Sequence, residues 1–258
     1  MRIGKQDQPF SAISTSDAET ITIRGKDLCG DLIGKTDFTS YFWFLVTGQE
    51  PNDNQRFFAN AVLTAIAEHG LVPSVVATRM TYAAAPEAFQ GAVAAGLLGC
   101  GSVVLGSAEA AGRFLVATHE DARDGDLAAA ATRAIKAVRA EKKAVPGFGH
   151  PLHEKGDPRA NLLLALAAER GIVGRNIETL YAVRDALPSA LGRALPINVN
   201  GAIPAVMLDV GFPLAALKGV SLLARTASLI AHLQEESERP IGFILSGKAA
   251  AAISYDGE

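Results

Sequence analysis

The feature that most constrains the fold is an uncharged stretch between Glu87 and Glu109, with the sequence AFQGAVAAGLLGCGSVVLGSA. Its length matches a membrane-spanning helix, which needs about 20 apolar residues. Its composition does not, because alanine and glycine dominate over leucine and isoleucine, and the glycines of GLLGCGSVVLG would interrupt one continuous helix. Small side chains also let helices approach one another closely. We therefore interpret the stretch as a buried helix with a break, within a fold of closely packed helices.

Helical patterns dominate most of the remaining chain. Asp126 and Asp157 each stand where an N-cap is expected, and Gly70 follows a helical segment as a C-terminal glycine would. Residues 19–25, ETITIRG, alternate apolar and polar side chains and predict a short strand. Further helices are predicted in PEAFQGAVAAGLL, with its proline in the first turn, and in GFPLAALKGVSLLARTASLIAHLQEESERP. The fold class is therefore mostly α, with minor β structure near the N-terminus.

The composition excludes several classes of function. A net charge of −3 gives no basic surface for nucleic-acid phosphates. The two cysteines, Cys29 and Cys100, form no CxxC pair, which argues against a disulfide framework or a zinc knuckle and fits a reducing compartment. The first residues, MRIGKQDQPF, contain no apolar signal segment. We expect a cytoplasmic protein without nucleic-acid or membrane partners.

One polar loop interrupts the helical pattern, with the sequence VPGFGHPLHEKGDPR over residues 145–159. Glycines before His150 allow the backbone to approach a ligand, and the flanking prolines restrict the loop. Asp157 would cap the next helix, whose N-terminus together with Arg159 forms a carboxylate site. The alternative interpretation is a rigid interhelical loop with an exposed histidine.

This loop resembles the signature of the citrate synthase family, in which a P-G-[FY]-G-H loop precedes D-P-R. Similar segments extend along almost the whole chain: ETITIRGKDLCGDLIG, FTSYFWFLVTGQEPN, AEHGLVPS, PINVNGAIPAVMLDVGFP and ARTASLIAHLQEESERP. The chain lacks the long N-terminal part of full citrate synthases. In its length and in GLLGCGSVVLGSAEAA it is most similar to the short citryl-CoA lyase branch.

The resemblance implies a fold and a set of site residues. It implies a two-lobe helical homodimer, or a higher oligomer, with a large lobe from residues 1–106 and 212–258 and a small lobe from 107–211. Catalytic roles would fall to His150, which binds the hydroxyl or carbonyl oxygen of the four-carbon acid, and to Asn200. The remaining positions are the substrate-binding residues His69, Arg159, Arg225 and Arg239, the last reaching the neighbouring subunit, and the coenzyme A-binding residues Val145, Gly147, Gly149 and Lys155.

Two positions depart from the family pattern. Leu105 stands where citrate synthases carry the histidine that polarises the thioester carbonyl, and Asn200 where they carry the aspartate that deprotonates the methyl group. Leucine donates no hydrogen bond to an enolate oxygen, and an amide accepts no proton at neutral pH. Condensation by the usual route is therefore doubtful.

Cleavage makes a different demand, because its first proton leaves an alcohol that His150 could deprotonate. Asn200 could donate a hydrogen bond to the enolate. Water, Glu109 or Asp209 could then protonate the enolate. We expect citryl-CoA lyase-like cleavage of citryl-CoA, or of a related 3-hydroxyacyl-CoA, to acetyl-CoA and oxaloacetate.

Two alternatives stay open beside the lyase. One is an acyltransferase of the citrate synthase type, condensing acetyl-CoA with a 2-oxo acid. The other is a non-catalytic subunit that binds coenzyme A and carboxylates. In each case coenzyme A belongs to the substrate, and we expect no tightly bound cofactor.

The other histidines and Arg24 receive structural interpretations. We expect no metal site at His150 and His153, because no third ligand lies within reach of the sequence. His119 is predicted to be a solvated surface residue and His232 a core or interface residue. Arg24 is expected to form a local salt bridge.

Overall fold

Short β-strands lead into a long series of α-helices in the computed structural model, which describes residues 9–101, 103, 105–122, 125–149 and 156–257. The chain divides into two compact units, residues 1–60 and 61–258, and each is considered by itself. The mostly α class with a minor N-terminal sheet is confirmed. The lobe boundaries implied by the family resemblance stay a prediction.

The first unit is built around a small antiparallel sheet. Its strands are β1 (Ser14–Ser16), β2 (Ile21–Ile23) and β3 (Lys26–Asp27), in the order β1-β2-β3. Arg24 and Gly25 make the tight turn between β2 and β3, with φ values of 49° and 84°. The strand predicted in residues 19–25 is therefore confirmed.

Helix α1 (Phe38–Thr47) completes the core of this unit. The buried residues Ile23, Leu32 and Phe44 form a cluster, against which Leu28, Tyr41 and Leu45 pack. Arg24 donates from Nη2 to the carbonyl oxygen of Leu45 at 2.8 Å. The predicted local salt bridge of Arg24 is thus replaced by a hydrogen bond to the backbone.

Ten further α-helices follow α1 in the part of the chain that the structure describes. They are α2 (Asp53–Ala67), α3 (Pro73–Ala84), α4 (Phe89–Leu98), α5 (Ser107–Asp121), α6 (Leu127–Ala140), α7 (Pro158–Glu169), α8 (Arg175–Leu191), α9 (Val199–Asp209), α10 (Leu217–Glu238) and α11 (Gly242–Ala252). The Asp126 and Asp157 side chains cap α6 and α7 as predicted. Pro86 does not start α4, because it lies in the turn after α3; a proline disfavours helical backbone at the preceding residue, and α3 has ended before it.

The uncharged stretch is a broken helix, as predicted, but it is only partly buried: α4 buries Ala92 and Gly96, while Leu98 is 88% exposed. Helix α4 ends at Leu98 and α5 begins at Ser107, with Leu105 between them in a left-handed conformation at φ 66°. Within the described residues, one helical stretch, Leu214–Glu238, is long and apolar enough to cross a membrane by length and composition alone. This stretch contains α10, whose buried face carries Arg225 and Glu236, as expected of a helix inside a protein core.

Helices α3, α10 and α11 are joined through a buried ion pair. Arg79 on α3 contacts Glu236 through Nε at 2.6 Å and Glu235 through Nη1 at 2.6 Å. The second oxygen of Glu236 accepts the amides of Ile241 and Gly242, at the start of α11, at 2.9 and 2.7 Å. Because both charges are paired and hydrogen-bonded, their burial is compensated.

Close approach of α4 to its neighbours makes Gly96 sensitive to substitution. A Cβ at Gly96 would lie 2.1 Å from Thr78 Oγ1, 2.7 Å from Leu229 Cδ1 and 2.8 Å from the Ser74 carbonyl oxygen. We expect Gly96→Ala to lower the free energy of unfolding in urea by about 1–3 kcal/mol through overpacking. Gly91→Ala, on the same helix, would meet only an ordinary contact at 3.5 Å. For this control the free energy of unfolding should stay unchanged or rise by about 0.5–1 kcal/mol. An equal decrease in the free energy of unfolding of both variants would contradict the packing argument.

Candidate functional site

The loop of residues 145–149 is fastened to the segment that leads into α9. Gly149 donates its amide to the Pro196 carbonyl at 2.8 Å, and Asn198 donates its amide to the Gly147 carbonyl at 3.0 Å. The Asn198 side chain donates in addition to the Gly149 carbonyl at 2.7 Å. A Cβ on Gly201 would lie 2.6 Å from the Gly147 oxygen, so the contact requires glycine. The backbone around Gly149 is therefore held in place by the start of α9.

The carboxylate of Asp157 joins the N-termini of α7 and α9. It is 1% exposed and accepts the Val199 amide of α9 at 2.9 Å. Arg159 donates to it from the backbone amide, Nε and Nη2 at 3.0, 3.0 and 2.9 Å. Burial by itself would raise the pKa of Asp157, but these hydrogen bonds and the charge of Arg159 lower it below its ordinary value. Asp157 is ionised at neutral pH and positions both helix ends.

Several predicted site residues meet in this region. Val145 is buried, and Gly147 and Gly149 take positive φ values of 87° and 77°. Asn200, on the first turn of α9, is partly buried, and its side chain makes no hydrogen bond to any residue in the described ranges. The amide of Gly149, a residue expected to bind coenzyme A, is bonded to the Pro196 carbonyl and so is not available to a ligand. His150 and Lys155 lie outside the described residues.

A second group of predicted residues lies where α2 ends against α10. His69 follows α2 and is exposed, and the preceding Glu68 accepts hydrogen bonds from the Gly70 amide and from the Ser228 hydroxyl. Arg225, one turn before Ser228, donates from Nη1 to the Ser228 oxygen at 3.3 Å. Burial would raise the pKa of Glu68, but the hydrogen bonds and His232 lower it. His69 and Arg225 are thus connected through Glu68 and Ser228.

Arg225 is a buried charge that the described residues do not fully compensate. It is 3% exposed, and its Nε has no hydrogen-bond partner in the ranges that the structure describes. Burial lowers the pKa of Arg225 below its ordinary value, and Glu68 and Cys100 offset this only in part. A buried guanidinium without a complete set of acceptors is costly. An anion with carboxylate geometry would supply the acceptors that this side chain lacks.

Arg239 lies just beyond the end of α10 and is exposed. Its carbonyl oxygen accepts a hydrogen bond from Arg79 Nη2 at 3.1 Å, which fixes the backbone where the side chain departs. Its predicted reach into a neighbouring subunit stays a prediction.

The two acidic residues named as possible proton donors to the enolate, Asp209 and Glu109, have different partners and different places in the fold. Asp209 accepts the amides of Gly174, Asn176 and Ile177 at 3.1, 2.9 and 2.9 Å and therefore caps α8, at the opposite end of α9 from Asn200. Glu109, on the first turn of α5, forms an ion pair with Arg113 at 2.7 Å. Asp209 has a structural role, and only Glu109 of the two lies near the α5 start where Leu105 is found.

His119 differs from its prediction as a solvated residue. It is partly buried, and its Nδ1 has no hydrogen-bond partner among the described residues. Burial, followed by the nearby charge of Arg175, lowers its pKa. The acidic residues after His119 in the sequence suggested solvent, but α8 covers the end of α5.

The two regions differ in how they could hold an anion. In the first, the helix-end amides and the Nε and Nη2 of Arg159 are already bonded to Asp157, whereas the second presents the incompletely bonded Arg225. Helix α5 packs against both α9 and α10, the helices that carry Asn200 and Arg225. Glu68 and Ser228 were not predicted as site residues. Their signal was the acid next to His69 and the three-residue spacing from Arg225 to Ser228, which places both on one face of a helix.

The sequence matches the family described as "Citrate synthase, C-terminal domain" over residues 23–242. Citrate synthase of Haloferax volcanii is 25% identical over 199 residues, which cover 76% of this chain and 51% of that protein. The chain spans about half the length of the curated relatives in this comparison.

Solved structures that are similar over nearly the full chain include a citryl-CoA lyase and an ATP citrate lyase. Citryl-CoA lyase from Hydrogenobacter thermophilus superposes with a TM-score of 0.85 at 27% identity, covering 100% of this chain and 96% of that one. ATP citrate lyase from Methanothrix soehngenii, solved with citrate and coenzyme A, gives a TM-score of 0.78 at 22% identity. That alignment covers 99% of this chain and 43% of the other, and at this identity it shows the shared fold alone.

The role of Asp157 can be tested through the pH dependence of stability. Asp157→Asn should lower the free energy of unfolding at pH 7 by about 2–4 kcal/mol, because an amide nitrogen would face N–H donors. Since the folded-state pKa lies below the ordinary value of 3.8, the wild-type advantage is complete above that pH. It is lost as the pH falls through the folded-state pKa.

Urea unfolding at pH 7 and at pH 3 measures this difference. Asp126→Asn is the control, because Asp126 accepts a single backbone amide and asparagine is an equally good N-cap. If Asp157→Asn lowers the free energy of unfolding only slightly at pH 7, or lowers it more at pH 3 than at pH 7, the structural role of the ionised Asp157 would be contradicted.

Proposed function

Because this chain belongs to the citrate synthase family, we propose that it binds an acyl-CoA carrying a di- or tricarboxylate and cleaves it as a citryl-CoA lyase does. The products would be acetyl-CoA and oxaloacetate, with coenzyme A as part of the substrate and no tightly bound cofactor. The observation that carries the binding proposal is the buried Arg225, whose Nε has no hydrogen-bond partner among the described residues. Similarity to citryl-CoA lyase along nearly the full length of both chains supports the reaction.

The proposed reaction is a retro-aldol cleavage. His150 removes the proton from the carbinol hydroxyl, and the electron pair of the O–H bond forms the keto group of oxaloacetate. The bond to the thioester methylene breaks, and its electron pair becomes the enolate of acetyl-CoA. Water protonates the enolate carbon, and the hydroxide that remains takes up the proton held by His150, which completes the balance of atoms and charge. Glu109 is ion-paired with Arg113 and therefore carries no proton to donate.

Asn200 is proposed to stabilise the enolate. Its amide has no hydrogen bond to a described residue, and it lies on the first turn of a helix, where the dipole favours negative charge. Arg159 and Arg225 would hold the carboxylates of the departing acid. Arg159 uses Nε and Nη2 on Asp157, so this residue contributes through its remaining donors and through its charge.

Condensation is the second candidate reaction, favoured by the citrate synthases among the relatives. It needs a base for the thioester methyl group and a donor to the thioester carbonyl. Asn200 and Leu105 occupy the two matching positions, and neither can supply these groups. Leu105 also has a left-handed backbone at φ 66°, which places an apolar side chain at the start of α5. We rank condensation below cleavage for this reason.

A non-catalytic subunit is the third candidate, and the same two positions favour it. Such a subunit would bind coenzyme A and carboxylates without chemistry. Arg225 is equally compatible with it, since a buried guanidinium needs an anionic ligand whether or not that ligand reacts. Activity measurements therefore separate the candidates, while binding measurements test their common basis.

A homodimer is part of the proposal. The Arg239 side chain is exposed at the end of α10, where it could enter the site of a second copy. Helix α11, which follows Arg239 in the sequence, exposes two large apolar side chains, Phe243 at 72% and Ile244 at 58%. Leu98 at the end of α4 is 88% exposed. Association would remove these surfaces from water.

The direction of chemistry is tested by two rates from one preparation. We expect release of oxaloacetate from citryl-CoA, read by a coupled dehydrogenase, and almost no deuterium exchange into the methyl group of acetyl-CoA. Loss of one enolate donor alone costs about 10²–10³ in rate. The double variant Leu105→His with Asn200→Asp should gain exchange.

Each outcome of these measurements is informative. Rapid exchange by the wild type would favour condensation and overturn the lyase. Neither cleavage nor exchange, together with binding of coenzyme A esters, would favour the non-catalytic subunit. His150→Ala should abolish cleavage without changing the fold measured by circular dichroism.

The anion site is tested by exchanging its charge for an apolar side chain. Arg225→Met should weaken oxaloacetate binding at least 100-fold in calorimetry, and it should raise the free energy of unfolding by about 1–2 kcal/mol, because an uncompensated buried charge is removed. Arg79→Met is the matched control, since Arg79 is equally buried but fully paired with Glu235 and Glu236. It should be destabilising by about 3–5 kcal/mol. Equal destabilisation by the two substitutions would refute the assignment of Arg225.

A further inference from the structure

Glu68 connects Arg225, which the proposed function places in the substrate site, with the turn of His69, a substrate-binding residue implied by the family resemblance. One carboxylate oxygen, Oε1, accepts the amide of Gly70, so that the side chain closes a turn around His69. The other oxygen, Oε2, accepts the hydroxyl of Ser228, whose oxygen in turn accepts Arg225 Nη1 at 3.3 Å. A continuous chain of hydrogen bonds therefore runs from the His69 turn to the buried guanidinium.

His232 orients the same carboxylate from the next turn of α10. Its Nδ1 lies 3.4 Å from Arg79 Nη1 and its Nε2 lies 3.0 Å from Glu68 Oε2. A guanidinium can only donate, so Nδ1 must accept and Nε2 must carry the proton that is donated to Glu68. Arg79 is itself fixed by its buried ion pair with Glu236. The position of Glu68 is thus set by the rigid junction of α3 and α10.

We infer that Glu68 is a positioning residue that fixes His69 relative to Arg225. It has no catalytic role in this assignment. Its two oxygens act at the same time, because the His69 turn engages one and the Arg225 side engages the other. This inference rests on the proposed function only in taking His69 and Arg225 as parts of one carboxylate site.

Both the charge and the reach of the side chain are needed for this role. Glutamine has one oxygen and one NH₂ group, so it would present a donor either to the Gly70 amide or to the donors on α10. Aspartate keeps the charge but is one methylene shorter, and it cannot span the same distance. Substitution of either kind should therefore break one end of the connection.

The first test needs no ligand. Hydrogen exchange of the Gly70 amide, measured by NMR, should be at least tenfold faster in Glu68→Gln and Glu68→Asp than in the wild type. Ser228→Ala should also accelerate it, although Ser228 has no direct contact with Gly70 among the described hydrogen bonds, because Glu68 would lose one of its two hydrogen bonds to α10 and keep only the one from His232. Wild-type exchange of Gly70 in Ser228→Ala would overturn the inference.

The second test uses oxaloacetate as the probe in calorimetry. Glu68→Gln and Ser228→Ala should each weaken binding about tenfold, and the double variant should be no weaker than either, because both break one connection. In the cleavage assay KM should rise with kcat changed less than threefold. Additive losses, or wild-type affinity in Glu68→Asp, would overturn the inference.

Glu238→Gln is the matched control. Glu238 is an exposed carboxylate like Glu68 and lies on α10, but its hydrogen bond comes from Gln234, and no described hydrogen bond joins it to Arg79, His232 or the His69 turn. It should leave both Gly70 exchange and oxaloacetate affinity unchanged. If the wild type binds no oxaloacetate at all, the proposed function fails, while the exchange of Gly70 in Ser228→Ala still decides the role of Glu68.

Discussion

The buried carboxylate of Asp157 is the interaction on which the first half of the site depends. It accepts hydrogen bonds from the backbone of α7, from the backbone of α9 and from the Arg159 side chain. One group therefore fixes the two helix ends, and the hydrogen bonds between residues 147–149 and 196–198 then hold the loop. The backbone leading to His150 and the first turn of α9, with Asn200, become parts of one rigid framework.

The two buried arginines show how the same side chain serves structure and binding. Arg79 has two carboxylates and a carbonyl oxygen around it, so its charge is fully compensated and it joins α3 to the end of α10. Arg225 is as deeply buried but has one serine hydroxyl and an unpartnered Nε among the described residues. Desolvation without full compensation is a cost that a protein accepts at a binding site. The two arginines lie in similar sequence settings, and it is their hydrogen-bond partners that distinguish them.

Leu105 and Asn200 depart from the family pattern, while the surrounding framework is retained. The groups that would hold carboxylates are present, while the groups that would activate a methyl group are replaced by an apolar side chain and an amide. A site of this kind can still bind the substrate and take a proton from an alcohol. It lacks a base for removing a proton from the methyl group of acetyl-CoA, whereas cleavage reaches the same enolate by breaking a carbon–carbon bond, and this asymmetry underlies the preference for cleavage.

Much of this protein was determined by the sequence alone, because the signals concerned are local. The aspartate caps of α6 and α7, the strand before Gly25 and the break after Leu98 depend on residues within one or two turns. The family resemblance likewise depends on short segments, and the match over residues 23–242 confirms it. Pro86 was misplaced because a proline marks a helix boundary without showing on which side the helix lies.

Only the tertiary structure decided which polar groups meet. Burial of His119 by α8, the bond of the Gly149 amide to Pro196 and the connection of Glu68 to α10 all join residues far apart in the chain. The same holds for charge, since Arg79 and Arg225 both lie within helical patterns. Nothing near them in the sequence shows that Arg79 meets two carboxylates while Arg225 meets a single hydroxyl. Compensation of a buried charge is set by packing between helices, which local sequence does not encode.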